Sequence, residues 1–304
     1  MTNSKQRHLL LDTDIGSDVD DAMTLVQLIG QGMSNQMSIT TVYGDTGLRA
    51  RIAARYCKLA EVKIPIFAGS GTPMSGRSVW VSGLEGSLHD QLDEELYEDK
   101  SALEHILEIS KNPELNVSIL AIGPLTNIAA ALIEDPSLPS RIDHLYIMGG
   151  RFDEGSPEHN FLSDAVAADI VFNSSFEITV VGLEATKRVK MPKDLIDRIA
   201  KAGRSGLALS RDIYQWWEFW GETWNVPHDP IAALTLIEGS LFEYSKPGRV
   251  TVSPNGPDEG HSVFDEVPAG SHKVVVDFAP EVIAERIVRG IEQAASGLAS
   301  TKLS

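Results

Sequence analysis

Short apolar runs alternate with stretches of helical periodicity along almost the whole chain, and this alternation narrows the possible folds more than any other feature. Residues 8–12 (HLLLD) read as a short buried strand. Ala22, Leu25, Val26, Leu28 and Ile29 then recur at helical spacing, with Gly30 and Gly32 as a stop. Residues 37–43 (MSITTVY) are β-branched and aromatic, which favours a strand. Ile52, Tyr56, Leu59 and Ala60 mark the next helix, and residues 65–68 (PIFA) another short strand. The pattern goes on with helix 101–110, strand 117–122, helix 125–133, strand 144–148, helix 164–172 and strand 177–183. Residues 191–236 read as mostly helical, 249–252 and 273–278 as β-rich, and 280–295 as a final helix. Such alternation gives a mostly parallel α/β sheet with helices on both faces. Strands buried on both sides are continuously apolar, as these are. Ligands of such sheets bind beyond the carboxyl ends of the strands. With no internal repeat and no low-complexity linker, the 304 residues are expected to form a single domain, 1–304.

Charge and cysteine content exclude several functions. Acidic residues outnumber basic ones 43 to 26, a net charge of −17, which repels nucleic acids and anionic membranes. Cys57 is the only cysteine, so neither an intrachain disulfide nor a cysteine-based zinc site is possible. Its place in mid-helix beside Tyr56 suits a packed small residue better than a nucleophile. The first eight residues lack an apolar signal core, and no apolar run approaches the roughly 20 residues of a membrane helix. A soluble, cytoplasmic protein is expected.

The chemistry collects where strands end. After the first strand comes DTDIGSDVDDA, residues 12–22, with five aspartates in ten positions. Crowded carboxylates repel one another, and a hard divalent cation with oxygen ligands relieves the repulsion. A helix cap explains any one of these aspartates but not the set. Gly44-Asp45 follows the second strand, Gly123-Pro124-Leu125-Thr126-Asn127 a later one, and Met148-Gly149-Gly150 the next. Glu158-His159-Asn160 and His228-Asp229-Pro230 come after these. Each is weak alone; Asp229-Pro230, for instance, is an ordinary helix start.

Together, DTDIGSDVDDA, GPLTNIA, MGG, EHN and HDP resemble the inosine–uridine nucleoside hydrolase family, and the likeness runs nearly the whole chain. The resemblance implies an open, Rossmann-like sheet and calcium-dependent hydrolysis of the N-glycosidic bond of ribonucleosides to base and ribose. It implies calcium ligands at Asp14, Asp21, Asp229 and the carbonyl of Thr126, with Asp14 also the base that takes a proton from the attacking water. It implies contacts to the ribose from Asp20, Glu158 and Asn160, with Met148 packed near the sugar and Asp45 a further substrate contact. His228 resembles the histidine that helps the base depart, a role suited to a side chain titrating near neutrality. Relatives are usually homodimers or homotetramers. The chain departs from the family in three places: Ser17, Asp18 and Val19 stand in the opening where the shortest form has one residue, which leaves Asp18 without a role; Asp45 stands where asparagine is usual; and Gly83-Leu84-Glu85-Gly86 replaces a histidine-glycine segment.

The base pocket is less legible. Trp216, Trp217, Trp220 and Trp224 precede His228, and helical spacing puts Trp217, Trp220 and Trp224 on one face. Trp220 and Trp224 are candidates for stacking on the base, with Trp80 a further one. His89 lies near residues 90–100, an acidic run that reads as a solvated face. Two other functions compete. A phosphatase of the haloacid dehalogenase type would use Asp12 as a phosphoryl-accepting nucleophile, and a nucleoside- or ribose-binding protein would hold the ligand without turnover.

Overall fold

In the computed structural model, which describes residues 5–295, the strands that position the site lie in one ten-stranded sheet. In chain order the strands are β1 (Gln6–Thr13), β2 (Met37–Thr41), β3 (Ile66–Ala68), β4 (Leu115–Ala121), β5 (Ile142–Met148) and β6 (Ile178–Val181). Then come β7 (Met191–Pro192), β8 (Trp224–Asn225), β9 (Phe242–Tyr244), β10 (Gly248–Val252), β11 (Ser262–Glu266) and β12 (His272–Phe278). Spatially the order is β11-β10-β12-β6-β5-β4-β1-β2-β3, with β9 also on β12 and a separate β7–β8 pair. Strands β3, β2, β1, β4, β5, β6 and β12 run parallel, while β9, β10 and β11 form an antiparallel margin. The chain leaves β1 for β2 on one side and returns to β4 on the other. The crevice of such a sheet opens at this reversal of strand order.

Side chains alternate across the parallel strands and build two cores. Leu9, Leu11, Leu120 and Ile122 join one, and Leu10, Ile119, Ala121 and Leu145 the other. The first is covered by α1 (Asp20–Gly30), α2 (Thr46–Leu59), α8 (Lys193–Ile199), α9 (Gly203–Trp220), α10 (His228–Ile237) and α11 (Pro280–Ala295). The second lies under α3 (Ala102–Lys111), α4 (Thr126–Glu134) and α6 (Ala165–Phe172). Two short helices, α5 (His159–Ser163) and α7 (Leu183–Thr186), follow β5 and β6. Among the described residues no helix is long and apolar enough to cross a membrane.

The expected α/β sheet is present, and its central strands fall within a residue or two of the sequence reading. The tryptophan segment differs. Helix α9 stops at Trp220 because Gly221 takes a left-handed conformation (φ 69°), and the chain then turns into β8. Trp224 therefore shares no helix face with Trp217 and Trp220. It is exposed on β8 with the Lys190 ammonium 4.4 Å from its ring centre. Residues 90–100 form the expected solvated face except at Glu95, which is buried and takes both Arg55 (2.6 Å) and Lys58 (2.9 Å).

Candidate active site

Four aspartates meet at the reversal point. Asp14 follows β1 directly, Asp20 and Asp21 open α1, and Asp229 lies in the first turn of α10. Carboxylates suit helix N-termini. All four are buried. Asp20, Asp21 and Asp229 each offer a carboxylate oxygen within 4.8 Å of the others. The Asp229 amide donates to Asp20 Oδ2 at 3.2 Å, and the Thr13 hydroxyl donates to Asp21. Burial drives the pKa of Asp20, Asp21 and Asp229 well above the carboxylate range, and their mutual repulsion adds to it. Asp14 is raised by burial too, against the opposing charges of Arg49 and His159. Three buried carboxylates with oxygen donors only are the donor set of a hard divalent cation. Gly123, just past β4, packs on this site: a Cβ there would lie 2.9 Å from both the amide nitrogen and Oδ1 of Asp14.

The aspartates face a cavity of about 510 Å³. Asp14, Asp20, Asp21, Met148, Glu158, Asn160, Trp220, His228 and Asp229 all line it, so nine of the expected residues, drawn from six segments, converge. Glu158 caps α5, accepting from the amides of Gly150 (3.0 Å), Asn160 (2.7 Å) and Phe161 (3.1 Å). The Asn160 amide group donates to the carbonyls of Ile122 (3.0 Å) and Met148 (3.3 Å), which ties the ends of β4 and β5 together and leaves Oδ1 as its acceptor.

The sequence matches the model of the inosine-uridine preferring nucleoside hydrolases over residues 9–289. The chain belongs to that family. It is 30% identical over 281 residues to uridine nucleosidase 1 of Arabidopsis thaliana, covering 86% of this chain and 83% of that one. It is 26% identical to the pyrimidine-specific ribonucleoside hydrolase RihB of Escherichia coli, covering 86% and 88%. A purine-preferring ribonucleoside hydrolase from Gardnerella vaginalis superposes with a TM-score of 0.82 at 23% identity, over 95% of this chain and 99% of that one. As a nucleoside hydrolase, the protein is an enzyme that hydrolyses ribonucleosides at the N-glycosidic bond. Its family is metal-dependent.

Three expected site residues of this hydrolase lie off the cavity wall. Asp45 is exposed and caps α2, taking the Leu48 amide at 2.9 Å. A helix start needs an acceptor there, so the carboxylate is spent on the backbone. Trp224 is removed by the break at Gly221. Thr126 is buried at the start of α4, its hydroxyl donating to Asp164 at 2.7 Å. Asp12 is also withheld: it is fully buried under Thr40 (2.5 Å) and Asn127 (2.8 Å) and does not line the cavity, which removes the phosphatase reading.

His228 lines the cavity in a different state from the one expected. Burial, helped by the charge of Lys187, lowers its pKa to about 4, so the ring is neutral at neutral pH. Its Nδ1 lies 2.7 Å from the Thr186 hydroxyl. That hydroxyl donates to the Leu183 carbonyl at 3.1 Å, and in that arrangement it accepts from Nδ1–H. Asp18 lines the cavity as well, and burial pushes its carboxyl up to about 7. Cys57 is buried, with its thiol pushed up to about 12, and is inert packing.

Tyr43, Trp216 and Arg77 line the cavity without belonging to any motif, and His159, the middle residue of EHN, lines it with no role assigned from sequence. Tyr43 and Trp80 both meet the His159 ring edge-on, at 6.1 and 5.7 Å. Trp80 and Trp220 face each other at 6.5 Å and 28°. Arg49 is buried and donates to the carbonyls of Asp14, Ile15 (3.0 Å) and Tyr43 (2.6 Å), which fixes the turn that aims Asp14. The indole at position 80 was visible as a candidate; a buried arginine at 49 reads in sequence as an ordinary surface charge.

Proposed function

We propose that this hydrolase works with calcium held by Asp14, Asp21, Asp229 and the Thr126 carbonyl, and that Asp14 takes the proton from the attacking water. The bound cation would neutralise the carboxylates, polarise the water and grip the ribose hydroxyls. The observation that carries this reading is the buried triad of Asp20, Asp21 and Asp229 opening on the cavity. Asp20, Glu158 and the Asn160 Oδ1 supply acceptors for ribose hydroxyls, and Met148 packs against the sugar. Breaking the C1′–N bond builds positive charge on the ribosyl group, and the surrounding carboxylates stabilise it. The departing base lies between Trp80 and Trp220, whose 6.5 Å separation is close to the roughly 7 Å that two stacking contacts need. Neutral His228, its Nδ1–H given to Thr186, presents Nε2 to the base as a hydrogen-bond acceptor from the same wall.

The test is a panel of purine and pyrimidine ribonucleosides and their 2′-deoxy counterparts, assayed for released sugar in chelator and after calcium is restored. Turnover should vanish in chelator and return with calcium. The deoxy compounds should be slower by about 10²-fold or more, since a ribose hydroxyl is lost from the transition state. Chelator-resistant turnover, or equal rates for ribo and deoxy substrates, would overturn the assignment.

A further inference from the structure

Between β3 and α3 the chain crosses more than thirty residues with a single 3-10 turn at Leu92–Glu94, yet it sets Trp80 on the cavity wall. One side chain closes the turn just beyond Trp80. Glu85 Oε1 accepts from the Ser82 amide (2.9 Å) and the Ser82 hydroxyl (3.0 Å), and Oε2 accepts from the Gly83 amide (2.9 Å). The same Oε1 accepts from the hydroxyl of Ser17, 68 positions away, at 2.9 Å. Burial alone would raise the Glu85 pKa, but these hydrogen bonds outweigh it and hold the carboxyl below the usual range. One ionised carboxylate thus closes the turn that follows Trp80 and fastens it to the loop between Asp14 and Asp20.

The socket is built into the carboxylate loop. Ser17 also accepts from Arg49 Nη2 at 3.3 Å, and Arg49 holds the Tyr43 carbonyl. The Tyr43 hydroxyl accepts the Trp80 amide at 2.8 Å. Tyr43 keeps a left-handed backbone (φ 69°), rare for a bulky residue and a sign that its surroundings determine its placement. Trp80 is therefore tied to the carboxylate loop by two routes, one through Glu85 and Ser17 and one through Tyr43 and Arg49.

We propose that Glu85 is a positioning residue that sets Trp80 over the base through Ser17, and that the extra length of Ser17-Asp18-Val19 provides its socket. The inference rests on the reading that Trp80 and Trp220 stack on the base. It predicts a ground-state effect, because an indole held out of place loses base binding without touching the bond that breaks.

The experiment compares E85A, E85Q and S17A, each alone and combined with W80A, in the calcium-loaded protein. E85A should raise KM about tenfold while kcat changes less than about threefold, and E85Q, which keeps the acceptor for Ser17 and Ser82 but loses the one for the Gly83 amide, should recover part of the loss. In the W80A background E85A should add less than about twofold, because its effect runs through the indole. An E85A effect on KM that persists in W80A, or one confined to kcat, overturns the proposal. A second measurement needs no turnover: iodide quenching of Trp80 fluorescence, isolated by subtracting the matching W80F variant. Quenching should increase in E85A and increase less in E85Q; unchanged quenching in E85A overturns the tether even if no nucleoside is hydrolysed. Failure of the whole nucleoside panel would instead overturn the proposed function while leaving the quenching result to judge Glu85.

Discussion

Asp229→Asn should make the cation-free protein more stable while destroying its response to calcium. The argument starts from the carboxylate oxygens of Asp20, Asp21 and Asp229, which lie within 4.8 Å of one another. At an effective dielectric constant of about 20, two unit charges at that separation repel by about 3.5 kcal/mol, so three ionised groups carry about 10 kcal/mol. A whole fold is stable by only about 5–15 kcal/mol. Without a cation the cluster must therefore hold protons, as its raised pKa values indicate. Their folded pKa lies above the unfolded one, so the stability they contribute is present at low pH and lost as pH rises towards the folded value. Each retained proton then costs about 1.4 kcal/mol per pH unit, or about 3 kcal/mol between pH 6.5 and 8.5. In the unfolded chain the histidines are half protonated at pH 6.5, so each ring that burial keeps neutral in the fold opposes this slope by about 0.4 kcal/mol across the window, small beside the roughly 3 kcal/mol for each retained proton.

Thermal unfolding in chelator at pH 6.5 and 8.5 reads this directly. At about 2 °C per kcal/mol for a chain of this size, wild type should lose about 6 °C for each retained proton. Asparagine at 229 removes two of the three repulsive pairs, so the variant should melt higher than wild type at pH 8.5 and show a flatter slope. It forfeits a helix N-terminal charge worth about 0.3–1 kcal/mol, too little to reverse the sign. Calcium at a thousand times its Kd should stabilise wild type by about 4 kcal/mol and the variant hardly at all. A wild-type melting temperature that is flat or rising across the window would refute the reasoning, as would a variant that melts lower with an unchanged slope.

Asp14→Asn should lower kcat by about 10³-fold, within the range for losing a general base, with a melting temperature near wild type in chelator; ribose release and calorimetry check both halves. Gly123→Ala puts a methyl 2.9 Å from the Asp14 amide and Oδ1 and from Val42 Cγ1, so kcat/KM should fall about 10²-fold at a stability cost of about 1–3 kcal/mol, read by the same assays. His105 and His272 are held near a pKa of about 4, chiefly by burial. Their folded values lie below the unfolded one, so the stability present above pH 6.5 is lost as pH falls towards 4. Urea midpoints should drop between pH 7 and 5 by of order 1 kcal/mol for each ring, allowing for partial exposure, and H105Q should remove its share.

Physical causes decide which parts of this site can be read from sequence. Strands β1, β4 and β5 declare themselves because both faces are buried, so their apolar runs need no knowledge of neighbours. Asp14, Asp20 and Asp21 declare themselves because five aspartates in ten positions cannot be explained by local structure. Asp229 does not: an aspartate before a proline caps helices everywhere, and only the meeting of α10 with α1 gives it partners. Asp45 shows the reverse error, since its alignment with a substrate contact hides a local demand, the capping of α2, that claims the carboxylate. Trp224 was misplaced because spacing was counted through Gly221, where a left-handed residue resets the phase of every side chain beyond it. Arg49, Tyr43 and Glu85 were silent for a further reason. Their work is to bond backbone and side chains 6 to 68 positions away, and no periodicity records a contact of that kind. The metal-ligand chemistry is therefore written in local composition. The placement of the aromatic wall is written in tertiary hydrogen bonds, and there Ser17 of the lengthened opening meets Glu85 and Arg49.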